Sequence, residues 1–297
     1  MELNARRETT NQKPNLAGKT CLITGATSGI GRATAVALAG MGAELVLVAR
    51  DRARGADTCS EIRRATGNQR VELMLADLSS QQSIRTLAAE YLATNRPLHR
   101  LLNNAGIVNL TRAVTVDGIE SVFAVNHLAY FLLTNLLLDR LKQSAPARIV
   151  NVASDAHRFG GMNFDDLQGE RRYRTMRIYG QSKMANILFT YELARRLEGS
   201  GVTVNCLHPG AVGTGLGKNN GAWAKVLIGM LRPFFRTPEQ GAATSIYLAS
   251  SPVVEGVTGK YFSNCKETRS AKASYDAADA RRLWDISVEM TGLAASA

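Results

Sequence analysis

Short apolar runs along the chain trade places with longer stretches of helical period. "KTCLIT" (19–24), "ELVLVA" (44–49), "VELMLA" (71–76), "HRLLNN" (99–104), "ARIVNVAS" (147–154), "VTVNCLHP" (202–209) and "GKYFS" (259–263) read as strands. Between them the period predicts helices over about 29–41, 51–66, 80–95, 116–141, 177–196 and 238–249, and a last one near 275–292. Strands apolar on both faces belong in a parallel sheet covered on both sides. Right-handed crossovers then wind it as a doubly wound α/β (Rossmann) fold. No linker breaks the pattern, so one domain is expected over 16–297, with a small insertion at about 215–237. Residues 1–15 are polar, have no apolar core of a secretory signal, and read as a flexible leader.

The first turn carries the first candidate chemistry. "TGATSGIG" (Thr24–Gly31) joins a strand to a helix, with glycines at 25, 29 and 31. Such a turn lets the backbone approach a pyrophosphate, which the free N–H groups of the helix end then bind. Thr27, Ser28 and Ile30 lie in the same loop. The second strand ends at Ala49 and is followed by Arg50, where this fold meets the adenosine ribose. An arginine there suits a 2′-phosphate and hence NADP over NAD. Asp51 follows it and competes as a ribose acceptor or a helix cap.

Composition narrows the remaining classes. With 45% hydrophobic and 21% charged residues the chain is ordinary globular material. The net charge of +11 invites nucleic acid or an anionic surface, but only "RRYRTMR" (171–177) clusters it, and no nucleic-acid motif accompanies it. No run approaches the roughly 18 apolar residues of a membrane span. The four cysteines are scattered and suit a reducing, cytoplasmic setting with neither disulfide framework nor zinc site.

Tyr179 and Lys183 share one face of the helix over 177–196, one turn apart. Alone such a pair is most often a surface pair. Here "TGATSGIG", "NNAG" (103–106), Asn126 in "VNHLAYFLLT", Ser154 in "IVNVASDAH", "YGQSK" and "HPGAVGT" (208–214) stand together in one order. That order resembles the short-chain dehydrogenase/reductase family, most closely its retinol dehydrogenase-like branch, over nearly the whole chain. The resemblance implies an NAD(P)-dependent oxidoreductase interconverting an alcohol and its carbonyl. It makes Tyr179 the acid/base, Lys183 the cation that favours phenolate and binds the nicotinamide ribose, and Ser154 the group that polarises the substrate oxygen. Asn126 would hold a water that connects Lys183 to solvent; otherwise it is a buried amide bonded to backbone. Asp77, Leu78, Asn104, Ala105, Gly106, Pro209, Gly210, Val212 and Thr214 carry over as cofactor contacts, though each also suits simple turn chemistry.

His157 is a candidate for the substrate pocket, His127 for packing. The segment "GAWAKVLIGMLRPFF" (221–235) reads as a lid with Trp223 against an apolar cleft, and otherwise as a core helix or a peripheral membrane contact. The implied substrate is a lipophilic carbonyl or alcohol: retinoid, steroid, aldehyde or ketone. A non-catalytic NADP-binding regulator is the alternative. Leucines 132, 133, 136, 137 and 138, with Ile187, Leu188, Phe189 and Leu193, make two helices apolar beyond one face. A homodimer or homotetramer is therefore expected.

Overall fold

The computed structural model describes residues 14–210 and 236–293. Among the described residues eight strands form one sheet in the order β3-β2-β1-β4-β5-β6-β7-β8. They are β1 (Thr20–Thr24), β2 (Glu44–Ala49), β3 (Val71–Leu75), β4 (Arg100–Asn103), β5 (Ala147–Val152), β6 (Val202–His208), β7 (Lys260–Ser263) and β8 (Lys266–Glu267). The first seven are parallel, and β8 returns antiparallel against β7. Strand order reverses between β1 and β4, which opens a crevice at the carboxyl edge where ligands bind in open α/β sheets. The doubly wound α/β expectation stands.

Helices α1 (Gly29–Gly40), α2 (Arg52–Thr66) and α3 (Gln81–Ala93) follow the first three strands. The next helix departs from its predicted span. Thr115 to Gly118 form a turn, and the Glu120 carboxylate caps a helix that starts only at Ser121. This α4 (121–136) runs as Ser121–Phe123, a π-helical turn Ala124–Leu128, then Ala129–Leu136. Leu137 ends it, and α5 (Leu138–Gln143) follows at a new angle. Helix α6 spans Thr175–Arg196, α7 Pro238–Ser250 and α8 Ala277–Thr291.

The apolar surplus of α4 and α6 is buried within the chain. Leu132, Leu133, Leu137, Ile187, Leu188, Phe189 and Leu193 are all nearly inaccessible. Helix α3 packs on α4 and α8 on α6: Trp284 of α8 packs edge-on to Phe131 at 4.9 Å and lies 6.0 Å from Phe189, and the Arg196 guanidinium sits 4.1 Å from the Trp284 ring. His127, buried among Phe123, Phe131 and Phe189, bonds Ser287 of α8 at 2.9 Å. Much of the apolar surplus is thus covered by the chain itself, while Leu136 and Leu138 of the five leucines stay partly exposed. The insertion at 215–237 lies outside the described residues except for its end, where Thr237 caps α7.

Trp284→Ala removes the indole that seals α8 onto α4 and α6. It is expected to lower stability by about 2–4 kcal/mol in urea unfolding. A change below 0.5 kcal/mol on that order-of-magnitude scale would mean that α8 is not part of the cooperative core.

Candidate active site

The crevice is a cavity of about 600 Å³ that runs along the carboxyl edge of the sheet. At one end the β1–α1 turn supplies its floor. Gly25 adopts φ +66°, and a Cβ on Gly31 would lie 2.3 Å from the Gly25 carbonyl oxygen. Only glycine permits that closeness. Ser28 begins α1 without capping it by its own side chain, so the first-turn N–H groups remain open to an anion. Gly25, Thr27, Ser28, Gly29, Ile30 and Gly31 all line the cavity.

Arg50 stands at the adenosine end, exposed, and forms no ion pair or hydrogen bond with a described residue. Asp51 is spent differently: its carboxylate accepts the Arg54 N–H at 2.9 Å and caps α2. Arg54 lines the same end; its signal in the sequence is the third arginine after the strand, following Arg50 and Arg52. Asp77 and Leu78 line the next stretch, with the Asp77 carboxylate tied to Ser79 at 2.7 Å. Asn104 is chiefly a strut. Its amide donates to the Thr24 carbonyl at 2.9 Å, while the Thr24 hydroxyl accepts the Asn104 and Ala105 N–H groups.

At the other end Tyr179, Lys183 and Ser154 meet on one wall, with Ala105, Gly106, Pro209 and Gly210 beside them. Lys183 is 3% exposed and donates to the Val152 carbonyl at 3.0 Å. Its ammonium lies 5.7 Å from the Tyr179 ring centre and 5.8 Å from that of Tyr130. Burial pulls the ammonium down to about 7. Burial pushes the Tyr179 phenol up, opposed by its hydrogen bond to the Ser154 hydroxyl. A glycine pair brings these residues together. A Cβ on Gly160 would lie 2.4 Å from the Gln181 nitrogen, and one on Gly180 2.6 Å from the Ala156 carbonyl oxygen. The loop after β5 therefore lies directly on α6, one residue past Tyr179.

Asn126 sits in the π turn of α4. Its Oδ1 accepts the Ile107 N–H at 2.7 Å, and its Nδ2 donates to the Ile107 carbonyl and to the Ser182 hydroxyl, each at 3.0 Å. The side chain thus clamps the loop after Gly106 rather than standing open. A Cβ on Gly106 would come within 3.5 Å of the Lys183 ammonium. Ile107 and Asn109, from the loop after Gly106, and Ser121 and Val125, from the start of α4, also line the cleft.

His157 does not reach the pocket. It is fully buried; its Nδ1–H donates to the Ser154 carbonyl at 2.6 Å and its Nε2 accepts the Ala271 N–H at 2.9 Å. A 3₁₀ turn at Asp155–Arg158 points it inward, so it braces the backbone that carries Ser154. His208 braces the neighbouring loop: it accepts the Asp155 N–H and contacts the Asp155 carboxylate at 3.2 Å. Val212, Thr214 and Trp223 lie outside the described residues.

The short chain dehydrogenase family matches residues 19–225. Human retinol dehydrogenase 14 is 49% identical over 292 residues, covering 93% of this chain and 87% of that protein. Human retinol dehydrogenase 12 is 45% identical over 278 residues, covering 94% and 88%. A solved, uncharacterized protein of Mycobacterium paratuberculosis superposes with TM-score 0.77 at 34% identity, over 94% of this chain and 95% of that one. The NADP complex of RhlG from Pseudomonas aeruginosa superposes with TM-score 0.68 at 30% identity, over 84% and 97%.

Lys183→Met should expose the cost of burying this ammonium. The unfolded lysine keeps its proton to near its ordinary 10.5, and the folded one releases it near 7. The folded state therefore binds fewer protons between those values. The penalty is full below about pH 7 and fades as pH rises toward 10.5. The variant is expected to melt about 2–6 °C higher at pH 6, with the gain shrinking at alkaline pH. A lower melting temperature at pH 6 would contradict the assigned shift.

Proposed function

The chain belongs to the short-chain dehydrogenase family, an NAD(P)-dependent oxidoreductase acting on CH–OH groups, and we propose that it interconverts a lipophilic alcohol and its carbonyl with NADP(H). The observation that carries the reading is the Ser154–Tyr179–Lys183 wall at the end of a cleft whose floor is an uncapped helix N-terminus. Those residues fit a dinucleotide: the Gly25–Gly31 turn for the pyrophosphate, Asp77 and Leu78 for the adenine, Lys183 for the nicotinamide ribose. When bound, the cofactor supplies or takes the hydride.

The protein's own residues handle the proton. In reduction the Tyr179 phenol gives its proton to the carbonyl oxygen, and in oxidation it takes the proton from the alcohol. The Ser154 hydroxyl donates to the same oxygen and fixes its place. A phenol near its ordinary ~10 is a poor base at neutral pH, and burial makes it poorer. Lys183 counters this from one helical turn away. A charged ammonium on that face favours the phenolate, and a phenolate in turn favours the ammonium. Such positioned acid–base groups contribute about 10²–10⁴-fold.

Two features support NADP over NAD. Arg50 and Arg54 stand together at the adenosine end, and Asp51 is engaged as the cap of α2. For the substrate, the retinol dehydrogenase relatives favour a retinoid or a similar long, apolar molecule. Leu110, next in the chain to Asn109 of the cleft lining, accepts the Thr175 hydroxyl at its carbonyl, and Leu110 and Met176 are 55% and 59% exposed. They offer an apolar rim for such a substrate.

Tyr179→Phe is expected to reduce turnover at least 100-fold while NADPH affinity changes little, as stopped-flow and fluorescence titration would read. Near-normal kcat would remove Tyr179 from the role. Arg50→Ala is expected to weaken NADP by about 10–150-fold, with little effect on NAD. An equal loss for both dinucleotides would make NAD the leading cofactor.

A further inference from the structure

At the opposite edge of the sheet lies a second cavity of about 920 Å³. Leu16, Tyr191, Leu197 and Val202 give it an apolar wall. Arg100 opens β4 and Arg148 stands near the start of β5, and the two are direct partners in the parallel register. Adjacent strands are only about 4.8 Å apart, so two guanidinium groups stand on one face at close range. Like charges placed opposite one another are unfavourable, and burial deepens the cost. Arg100 is 6% exposed.

Part of the arrangement is structural. Arg100 donates from Nε to the Ala249 carbonyl at 2.7 Å and from Nη1 to the His99 and Pro146 carbonyls. Arg148 donates from Nη1 to the Leu248 and Ser251 carbonyls. Both thereby cap the C-terminal end of α7, where a cation is favoured. That accounts for three nitrogens. Nη2 of Arg100, and Nε and Nη2 of Arg148, bond no described group, and neither guanidinium forms an ion pair among the described residues. Burial, then the Arg100 charge, pulls Arg148 down to about 10. Glu255 acts on both arginines only at a distance.

We propose that this cavity binds an amphipathic organic monoanion, a carboxylate on a hydrocarbon body, held by the free donors of Arg100 and Arg148. The paired forks match the two oxygens of a carboxylate. Glu198 and Glu255 also line the cavity, as do Lys19 and Arg195, so the apolar wall and not the charge balance is what favours an amphipathic anion over a free phosphate. The apolar wall takes the hydrocarbon. The site is separate from the catalytic cleft: Arg100 and Arg148 lie at the amino ends of strands whose carboxyl ends, Asn103 and Val152, border the active site.

Calorimetric titration of the NADPH-saturated full chain with decanoate tests it, with decanol and sulfate as comparators. Decanoate should bind, decanol and sulfate at least tenfold more weakly. Arg148→Gln should weaken decanoate at least tenfold with NADPH affinity retained, which certifies the fold. Ala194→Glu, a charge placed on the cavity wall, should do the same without touching the arginines. Absent decanoate binding, or binding indifferent to both variants, would overturn the proposal. Sulfate as tight as decanoate would overturn the amphipathic ligand.

Discussion

A lysine ammonium held almost out of water by one carbonyl, that of Val152, sets the terms for the catalytic end of this molecule. Val152 ends β5, and Lys183 rises from α6, so the bond fixes helix to strand at the point where the cleft begins. Burial at this depth strips the ammonium of solvation and lowers its hold on a proton. The ammonium lies 5.7 Å from the Tyr179 ring centre. In the proposed reading, stability is given up at the residue whose charge is to favour the Tyr179 phenolate. Gly106 and the Asn126 amide complete the enclosure from the β4 side.

The surroundings are arranged to keep that wall rigid. The glycines at 160 and 180 let the loop after β5 lie against α6 with no side chain between. His157 ties the backbone of Ser154 to Ala271, in the segment that leads into α8. Helix α8 in turn seals α4 and α6 through Trp284 and through the bond from Ser287 to His127. The tail is thus coupled to the Ser154 loop by hydrogen bonds as well as by packing. The proposed placement of a phenol and a hydroxyl on one substrate oxygen would depend on such support.

Much of this was legible in the sequence because it rests on local signals. Apolar runs such as "ELVLVA" report their own burial, and the glycine turn reports its own geometry. The helix over 116–141 was misplaced because its apolar content continues through a turn that Gly118 and the Glu120 cap impose. The π turn has no signature in the apolar run; it carries the Asn126 amide, which bonds Ile107 in a distant loop. His157 was assigned to the pocket because it is close to Ser154 in sequence; the 3₁₀ turn sends it the other way. The covering of the leucine-rich faces stays open in the sequence, between a second subunit and the chain's own C-terminal extension, for a different reason. An apolar surplus shows that something must cover it, but not whether the cover is a second chain or a helix some 150 residues on in the same one.

The central claim is that this wall and this cleft work together as an NADP-linked alcohol and carbonyl oxidoreductase. The most direct measurement is the loss of NADPH absorbance with a panel of long-chain and retinoid aldehydes, run in parallel with NADH. The account predicts consumption that depends on both aldehyde and enzyme, with NADPH preferred over NADH at least tenfold in kcat/KM. Tight NADPH binding with no consumption against any carbonyl of the panel would contradict it, and would leave a protein that binds the dinucleotide without turning it over.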